Sequence, residues 1–166
     1  MLHCYLTINS NLDDNKYNVN FDSYSPHKQS SYLEVKNCRP GSTVINFSRN
    51  VVTGKRVKEY YIVMRQKSST HTITCINLMT GKPVAFENNV KVVPFTVRID
   101  ATYNKMPDFV NFCDLPYGTI FLNNDNNMYC LKILENYLYG NFIELYTGDT
   151  KEIERKNKKV LPLVFV

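Results

Sequence analysis

The chain of 166 residues has no tryptophan, three histidines and six glycines. It has no apolar run near the ~18 residues that a bilayer-crossing helix needs, so no transmembrane helix is expected. The opening Met1–Asp14 lacks a basic stretch and a long apolar core, so no secretory leader is expected either. No C-x-x-C occurs and no histidine stands at zinc-ligand spacing from a cysteine, which leaves no metal site in view. P-loop, G-x-G-x-x-G and H-E-x-x-H signatures are missing, and with them the common nucleotide and metalloprotease chemistries. Helical periodicity is scarce. What is present is 43% hydrophobic and 13% aromatic residues, too much for a disordered tail and enough for one domain or two very small ones.

The five cysteines, Cys4, Cys38, Cys75, Cys113 and Cys130, are odd in number and widely spaced. They read as free thiols in a reducing compartment, and the spacing gives no support to a bridge such as Cys4–Cys38. A cytoplasmic protein is expected.

Period-two patterns dominate: Tyr60–Met64, Thr72–Ile76, Val90–Val93 and Phe95–Ile99 are short, β-branched and alternating. Turn signals separate them at Thr53-Gly54-Lys55, Thr80-Gly81-Lys82, Asn88-Asn89, Asn123–Asn127 and Thr147-Gly148-Asp149. Met106–Phe112 is the best helical stretch, one or two turns after Pro107, while Leu131–Leu138 leans toward strand. Met1–Ile8 and Tyr32–Val35 read as an added N-terminal strand pair. The polar segment Asn9–Ser31 between them is a long loop or a poorly formed hairpin around Tyr17–Phe21.

Four landmarks recur in the same order. Arg39-Pro40-Gly41-Ser42-Thr43-Val44 is matched by Leu115-Pro116-Tyr117-Gly118-Thr119-Ile120, and Tyr61–Arg65 by Tyr129–Ile133. Leu78-Met79-Thr80-Gly81-Lys82 is matched by Leu145-Tyr146-Thr147-Gly148-Asp149, and Val92-Val93-Pro94 by Val160-Leu161-Pro162. Self-similarity of this kind marks repeated structural units. The expected fold is all-β: two tandem small SH3-like β-barrel or meander repeats with the added N-terminal strands. The expected division is 1–37 for the N-terminal strands and polar loop, 38–99 for the first repeat, 100–113 for a connector and 114–166 for the second repeat. One such unit buries little surface, so the two should pack together.

The run Leu115-Pro116-Tyr117-Gly118-Thr119-Ile120-Phe121, Tyr129–Lys132, Leu145-Tyr146-Thr147-Gly148 and Val160-Leu161-Pro162 resembles a small β-barrel repeat of bacteriophage accessory proteins. Residues 38–99 follow it more loosely, with Arg39 in place of the leucine and an enlarged first hairpin. The resemblance implies a phage origin and a non-enzymatic accessory role in an infected bacterial host, and it supplies no ligand and no functional residues.

Charge is uneven. Residues 1–100 hold thirteen Lys/Arg against seven Asp/Glu, whereas residues 101–166 come to about −1. Between Arg39 and Lys67 lie Arg49, Lys55, Arg56, Lys58, Arg65 and Lys67, opposed by Glu59 alone. With Tyr60 alongside, this basic ribbon is the expected polyanion- or partner-binding element. The competing reading is a solvated hairpin whose charges discourage edge pairing. The run Arg155–Lys159 reads as a solvated turn.

Catalytic constellations are missing. His3 and Cys4 alternate faces on a strand, and His71 and Cys75 share a face but stand too far apart for a direct hydrogen bond. His71-Thr72 has no second copy to complete a two-histidine phosphoesterase. Asp13, Asp14, Asn15 and Asp22 lack the calcium-loop pattern. Tyr5, Tyr17, Tyr24, Tyr32, Tyr103, Tyr117, Tyr137 and Tyr139 exceed what a small core hides, which favours an interface with a partner or a second copy. The expectation is a binding protein with no catalytic residue, cofactor or metal. Its partner would be a host protein or protein–nucleic-acid complex, for instance a host-defence component. The net positive charge argues against a DNA mimic. Direct nucleic-acid or nucleotide binding and a virion structural role are the alternatives.

Overall fold

A computed structural model of the chain describes residues 3–8, 17–22, 32–66, 71–98, 109–136, 138–154 and 157–162, with the backbone alone for 3–8, 17–22 and 96–98. The fold is all-β. The first sheet holds β1 (His3–Ile8), β2 (Tyr17–Asp22), β3 (Leu33–Glu34), β4 (Thr43–Arg49), β5 (Arg56–Val63), β6 (Thr72–Asn77), β7 (Pro83–Glu87) and β8 (Lys91–Arg98). The second holds β9 (Val110–Asn111), β10 (Ile120–Asn123), β11 (Met128–Asn136), β12 (Gly140–Glu144), β13 (Thr150–Lys151) and β14 (Lys159–Pro162). Strand order is β2-β1-β8-β4-β5-β6-β7 in the first, with β3 also on β8, and β13-β12-β11-β10-β14-β9 in the second. Among the described residues the strand pairings are antiparallel except β1 with β8.

Corresponding steps appear in both sheets. Val44 lies opposite Tyr61 and Pro94; Phe121 lies opposite Cys130 and Pro162. Ile62 faces Ile76, and Leu131 faces Ile143. A 3-10 turn enters each: Val35–Asn37, with the Val35 amide on the Val90 carbonyl at 2.8 Å, and Phe112–Asp114, with the Phe112 amide on the Lys158 carbonyl at 2.8 Å. Proline is tolerated inside β8 because Pro94 falls where the far edge of that strand changes partner from β3 to β1.

Two segments that the expected division places outside the repeats pack into the sheets' own cores: Val35 is fully buried and Phe112 nearly so. The strand expected at Tyr32–Val35 contains β3, but single 3-10 turns and the two-residue β9 are too short to show a period, which is why Val35–Asn37 and residues 110–113 fall outside the expected repeats. The helix expected at Met106–Phe112 is absent where it is described: Val110–Asn111 is strand, and residues 106–108 lie outside the described residues. The strands expected at Met1–Ile8 and Tyr32–Val35 take other partners than each other. β1 pairs β2, built from the Tyr17–Asp22 stretch, and β3 pairs β8. Leu131–Asn136 is strand.

One core joins the sheets. Ile45, Ile62, Met64, Ile76 and Leu78 from the first meet Ile120, Leu131, Ile133, Ile143 and Leu145 from the second. At ~1.5–3 kcal/mol for each fully buried aliphatic side chain, this is the main cohesion between them. Each sheet has its own smaller core on the opposite face, around Val44, Tyr61 and Cys75 in one and around Phe112, Phe121 and Phe142 in the other.

The sheets also exchange turns. The Leu134 amide donates to the Gly81 carbonyl at 2.8 Å, and the Arg65 amide to the Gly148 carbonyl at 2.8 Å. The approach is backbone on backbone: a Cβ at Gly118 would lie 2.4 Å from the Met79 carbonyl oxygen, and one at Gly41 2.3 Å from that of Tyr146. Only glycine permits that contact at φ of +80° and +84°.

Candidate functional site

The basic window folds as the β4–β5 hairpin. Directly opposed residues of an antiparallel pair share a face. Ile45/Tyr60, Phe47/Lys58 and Arg49/Arg56 therefore make one face, and Val44/Tyr61, Asn46/Glu59 and Ser48/Val57 the other. Along the first face the chemistry changes outward, from the buried Ile45 and Ile62, through the half-buried Phe47 and Tyr60, to the exposed Arg49, Arg56 and Lys58. The aromatic step is well anchored. The Arg56 guanidinium sits 4.7 Å over the Phe47 ring and donates to the Tyr32 hydroxyl at 3.3 Å. Tyr32 meets Phe47 edge-on at 6.4 Å, and Tyr60 meets Phe95 at 6.0 Å. Stacking on an aromatic fixes a guanidinium without neutralising it.

The one opposing carboxylate is on the other face. Glu59 accepts a hydrogen bond from the Tyr61 hydroxyl. Burial first, and the neighbouring Glu59 second, push the Tyr61 phenol above its ordinary range, so it remains a neutral donor to that carboxylate.

The tip is a closed six-residue turn. The Asn50 side-chain oxygen accepts from the Val52 and Thr53 amides at 2.9 and 3.1 Å. The Asn50 amide donates to the Lys55 carbonyl, and the Gly54 amide to the Asn50 carbonyl, both at 2.8 Å. Thr53 Oγ1 accepts from the Lys55 amide at 3.3 Å. This frame presents Val51 and Val52 outward, 99% and 93% exposed, beside the exposed Lys55.

The structure thus brings Arg49, Arg56, Lys58 and Tyr60 onto one face, with Lys55 at its end. Arg65 is elsewhere, past the end of β5, with Nε on Asp149 Oδ1 at 2.6 Å and Nη2 on the Thr147 carbonyl at 3.4 Å. Lys67 lies outside the described residues. The sequence reading did not single out Val51, Val52 or Phe47. The signal for the two valines was in plain sight: Asn50-x-x-Thr53-Gly54-Lys55 repeats the spacing of Asn77-x-x-Thr80-Gly81-Lys82. Of the second basic run, Arg155 and Lys156 are outside the described residues, and Lys158 pairs with Asp125 at 2.6 Å.

Two other reactive groups, Cys75 and Lys132, are locked away. Burial first, then the nearby Cys38, pushes the Cys75 thiol up to about 12, which leaves little thiolate for nucleophilic attack. Lys132 is buried beside a cavity of about 340 Å³ lined in part by Cys113, Tyr117 and Glu135. Its ammonium donates to the carbonyls of Phe112, Cys113 and Leu115 at 2.8, 3.3 and 2.6 Å. Those three bonds use all its protons, so Lys132 clamps the Phe112–Asp114 turn. Among the described residues no three His, Cys, Asp or Glu side chains converge as a metal site, and no helix is long and apolar enough to cross a membrane. No protein-family model, curated protein or solved structure matches the chain.

Proposed function

We propose that this is a non-enzymatic binding protein that engages an anionic macromolecule through the β4–β5 hairpin. The observation that carries the reading is the segregation of charge: Arg49, Arg56 and Lys58 line one face, and Glu59 is turned to the other and held by Tyr61. A hairpin charged merely for solubility has no need to sort its charges by face or to stack one on a ring. Opposed patches of this kind steer association and fix register on a partner.

The sequence resemblance extends the reading to a phage-encoded accessory protein acting on a host protein, such as a defence component, in the cytoplasm of an infected bacterium. The matched registers and matched turns of the two sheets support reading them as tandem copies of one SH3-like small barrel. The exposed valine pair at the tip favours a protein partner, because apolar tip residues gain by burial in a protein surface. Direct nucleic-acid binding is the second reading. It is favoured by the aromatic floor of Phe47 and Tyr60 under the basic face.

Affinity capture from bacterial lysate, with and without nuclease treatment, separates these. The protein reading expects a partner that survives nuclease and is lost with R49A/K55A/R56A/K58A. Capture that nuclease abolishes supports the nucleic-acid reading, and capture unchanged in the variant refutes the hairpin as the binding element.

A further inference from the structure

The hairpin tip is the third occurrence of one turn. Asn50–Lys55 and Asn77–Lys82 share all their closing bonds. The first amide donates to the last carbonyl at 2.8 and 2.9 Å, and the glycine amide to the asparagine carbonyl at 2.8 Å in both. The asparagine side chain accepts from the third residue's amide at 2.9 and 2.8 Å and from the fourth's at 3.1 and 3.2 Å. The threonine hydroxyl accepts from the lysine amide at 3.3 Å in both. Glu144–Asp149 has the same backbone bonds, at 2.8 and 3.1 Å, and differs at its third residue, Tyr146, whose φ is +71° where Val52 and Met79 are not left-handed. Its glycine has φ +72°, against +71° at Gly81 and +67° at Gly54.

Two of the three are seated, and both seats are alike. The seat is a strand that leaves its ladder, offering one amide to the turn glycine's carbonyl, beside a second glycine that the turn's backbone overlies. Leu134 and Gly118 form it for the Gly81 turn; Arg65 and Gly41 form it for the Gly148 turn. In both seated turns the second residue, Leu78 or Leu145, is buried in the shared core. At the tip the second residue is Val51, 99% exposed, and among the described residues a Cβ built on Gly54 meets nothing within 4 Å.

We propose that Asn50–Lys55 is a docking turn whose seat is on a partner protein: an open strand edge next to a positive-φ glycine, set in an acidic surface. The main chain would supply the hydrogen bonds and Val51 the apolar anchor, as in strand-edge recognition generally. Arg49, Lys55 and Arg56 around the turn set the charge of that surface. A second intact copy is a poor occupant, because both described seats in this chain are filled by its own turns. This rests on the reading of the hairpin as the binding element and names its mode of engagement.

Two variants of the full chain test it. In G148V, a Cβ at position 148 would lie 2.4 Å from the Gly41 amide nitrogen and 2.7 Å from the Val63 carbonyl oxygen, so the turn cannot seat and the seat at Gly41 opens. The expected result in sedimentation at high salt, which screens the tip's Arg49, Lys55 and Arg56 from Arg39 and Arg65 beside the opened seat, is association through the tip, reversed by adding V51D/V52D. A folded G148V that stays monomeric, or association that persists with V51D/V52D, overturns the proposal.

If G148V does not fold, L78V/M79V decides, because residues 77–82 then read as 50–55 do. Hydrogen exchange at the Leu134 amide is expected to stay protected within ~10-fold of the parent. Exchange there at the rate of an open amide, with the rest of β11 still protected, shows that the tip sequence cannot seat and overturns the proposal. Wild-type self-association, or duplex DNA binding, that V51D/V52D removes would assign the tip to a second copy or to nucleic acid and also overturn it. Failure here leaves the basic face to be judged by R49A/K55A/R56A/K58A.

Discussion

Gly81 and Leu134 come from different sheets, and the amide of the second donates to the carbonyl of the first at 2.8 Å. Arg65 and Gly148 repeat the bond with the sheets exchanged, again at 2.8 Å. Each sheet gives a turn and receives one, around the core that Leu78 and Leu145 help to fill. The β4–β5 hairpin grows out of this locked body, so its outer half is presented on a fixed base.

The glycines should divide sharply. G41A and G118A place a methyl 2.3–2.4 Å from backbone of the other sheet at positive φ, and should cost ~3 kcal/mol or more in urea unfolding. G54A meets open space and bears only the cost of its φ, ~1 kcal/mol. Equal losses would contradict the docked-turn description.

Arg65 should behave as an ordinary surface ion pair. Its side chain is 59% exposed and that of Asp149 38%, so R65A should cost under ~1 kcal/mol and shrink further in salt. Binding of any partner by the hairpin should be unchanged in R65A. A loss comparable to that of R56A would extend the site past the end of β5.

Lys132 should be far more costly than its exposed relatives. K132M removes three bonds at once and leaves the carbonyls of Phe112, Cys113 and Leu115 without the ammonium, a loss of ~3 kcal/mol in chemical unfolding. A change below ~1 kcal/mol would show that the 3-10 turn does not depend on the clamp.

Thiol chemistry gives a pH signature. Burial pushes both Cys75 and Cys130 up to about 12, against 9.0 for an ordinary thiol. The unfolded chain therefore loses those protons first, and the stability they contribute is present below pH 9 and lost as pH climbs toward 12. Tyr60, Tyr61 and Tyr146, also raised by burial, act in the same sense, and Lys132, lowered by burial, in the opposite one. Unfolding midpoints should fall from pH 8.5 to about 10.5, less steeply in C75A/C130A. Under native conditions the exposed Cys113 should react with a thiol reagent well ahead of Cys75 and Cys130.

The strands were legible because alternation is a local property: Tyr60–Met64 and Thr72–Ile76 announce themselves within a few residues, against the observed Arg56–Val63 and Thr72–Asn77. Of the entry segments, Leu33–Glu34 falls inside the strand expected at Tyr32–Val35, whereas Val110–Asn111 falls inside the expected helix, because a two-residue strand acquires meaning only by pairing, here with β14. The basic window was visible as composition, but which charges share a face depends on register. Register turned Arg49, Arg56 and Lys58 one way and Glu59 the other, and the second sheet took Arg65.

The central claim is that the outer β4–β5 hairpin binds an anionic partner. Its most direct test is a titration at two salt concentrations of wild type, R65A and R49A/K55A/R56A/K58A against labelled polyglutamate and labelled single- and double-stranded DNA. The account predicts low-salt binding of at least one probe by wild type and R65A, a steep decline with salt, and no binding by the fourfold variant. Wild type that binds none of the probes at low salt, or a fourfold variant that binds as wild type does, would contradict it.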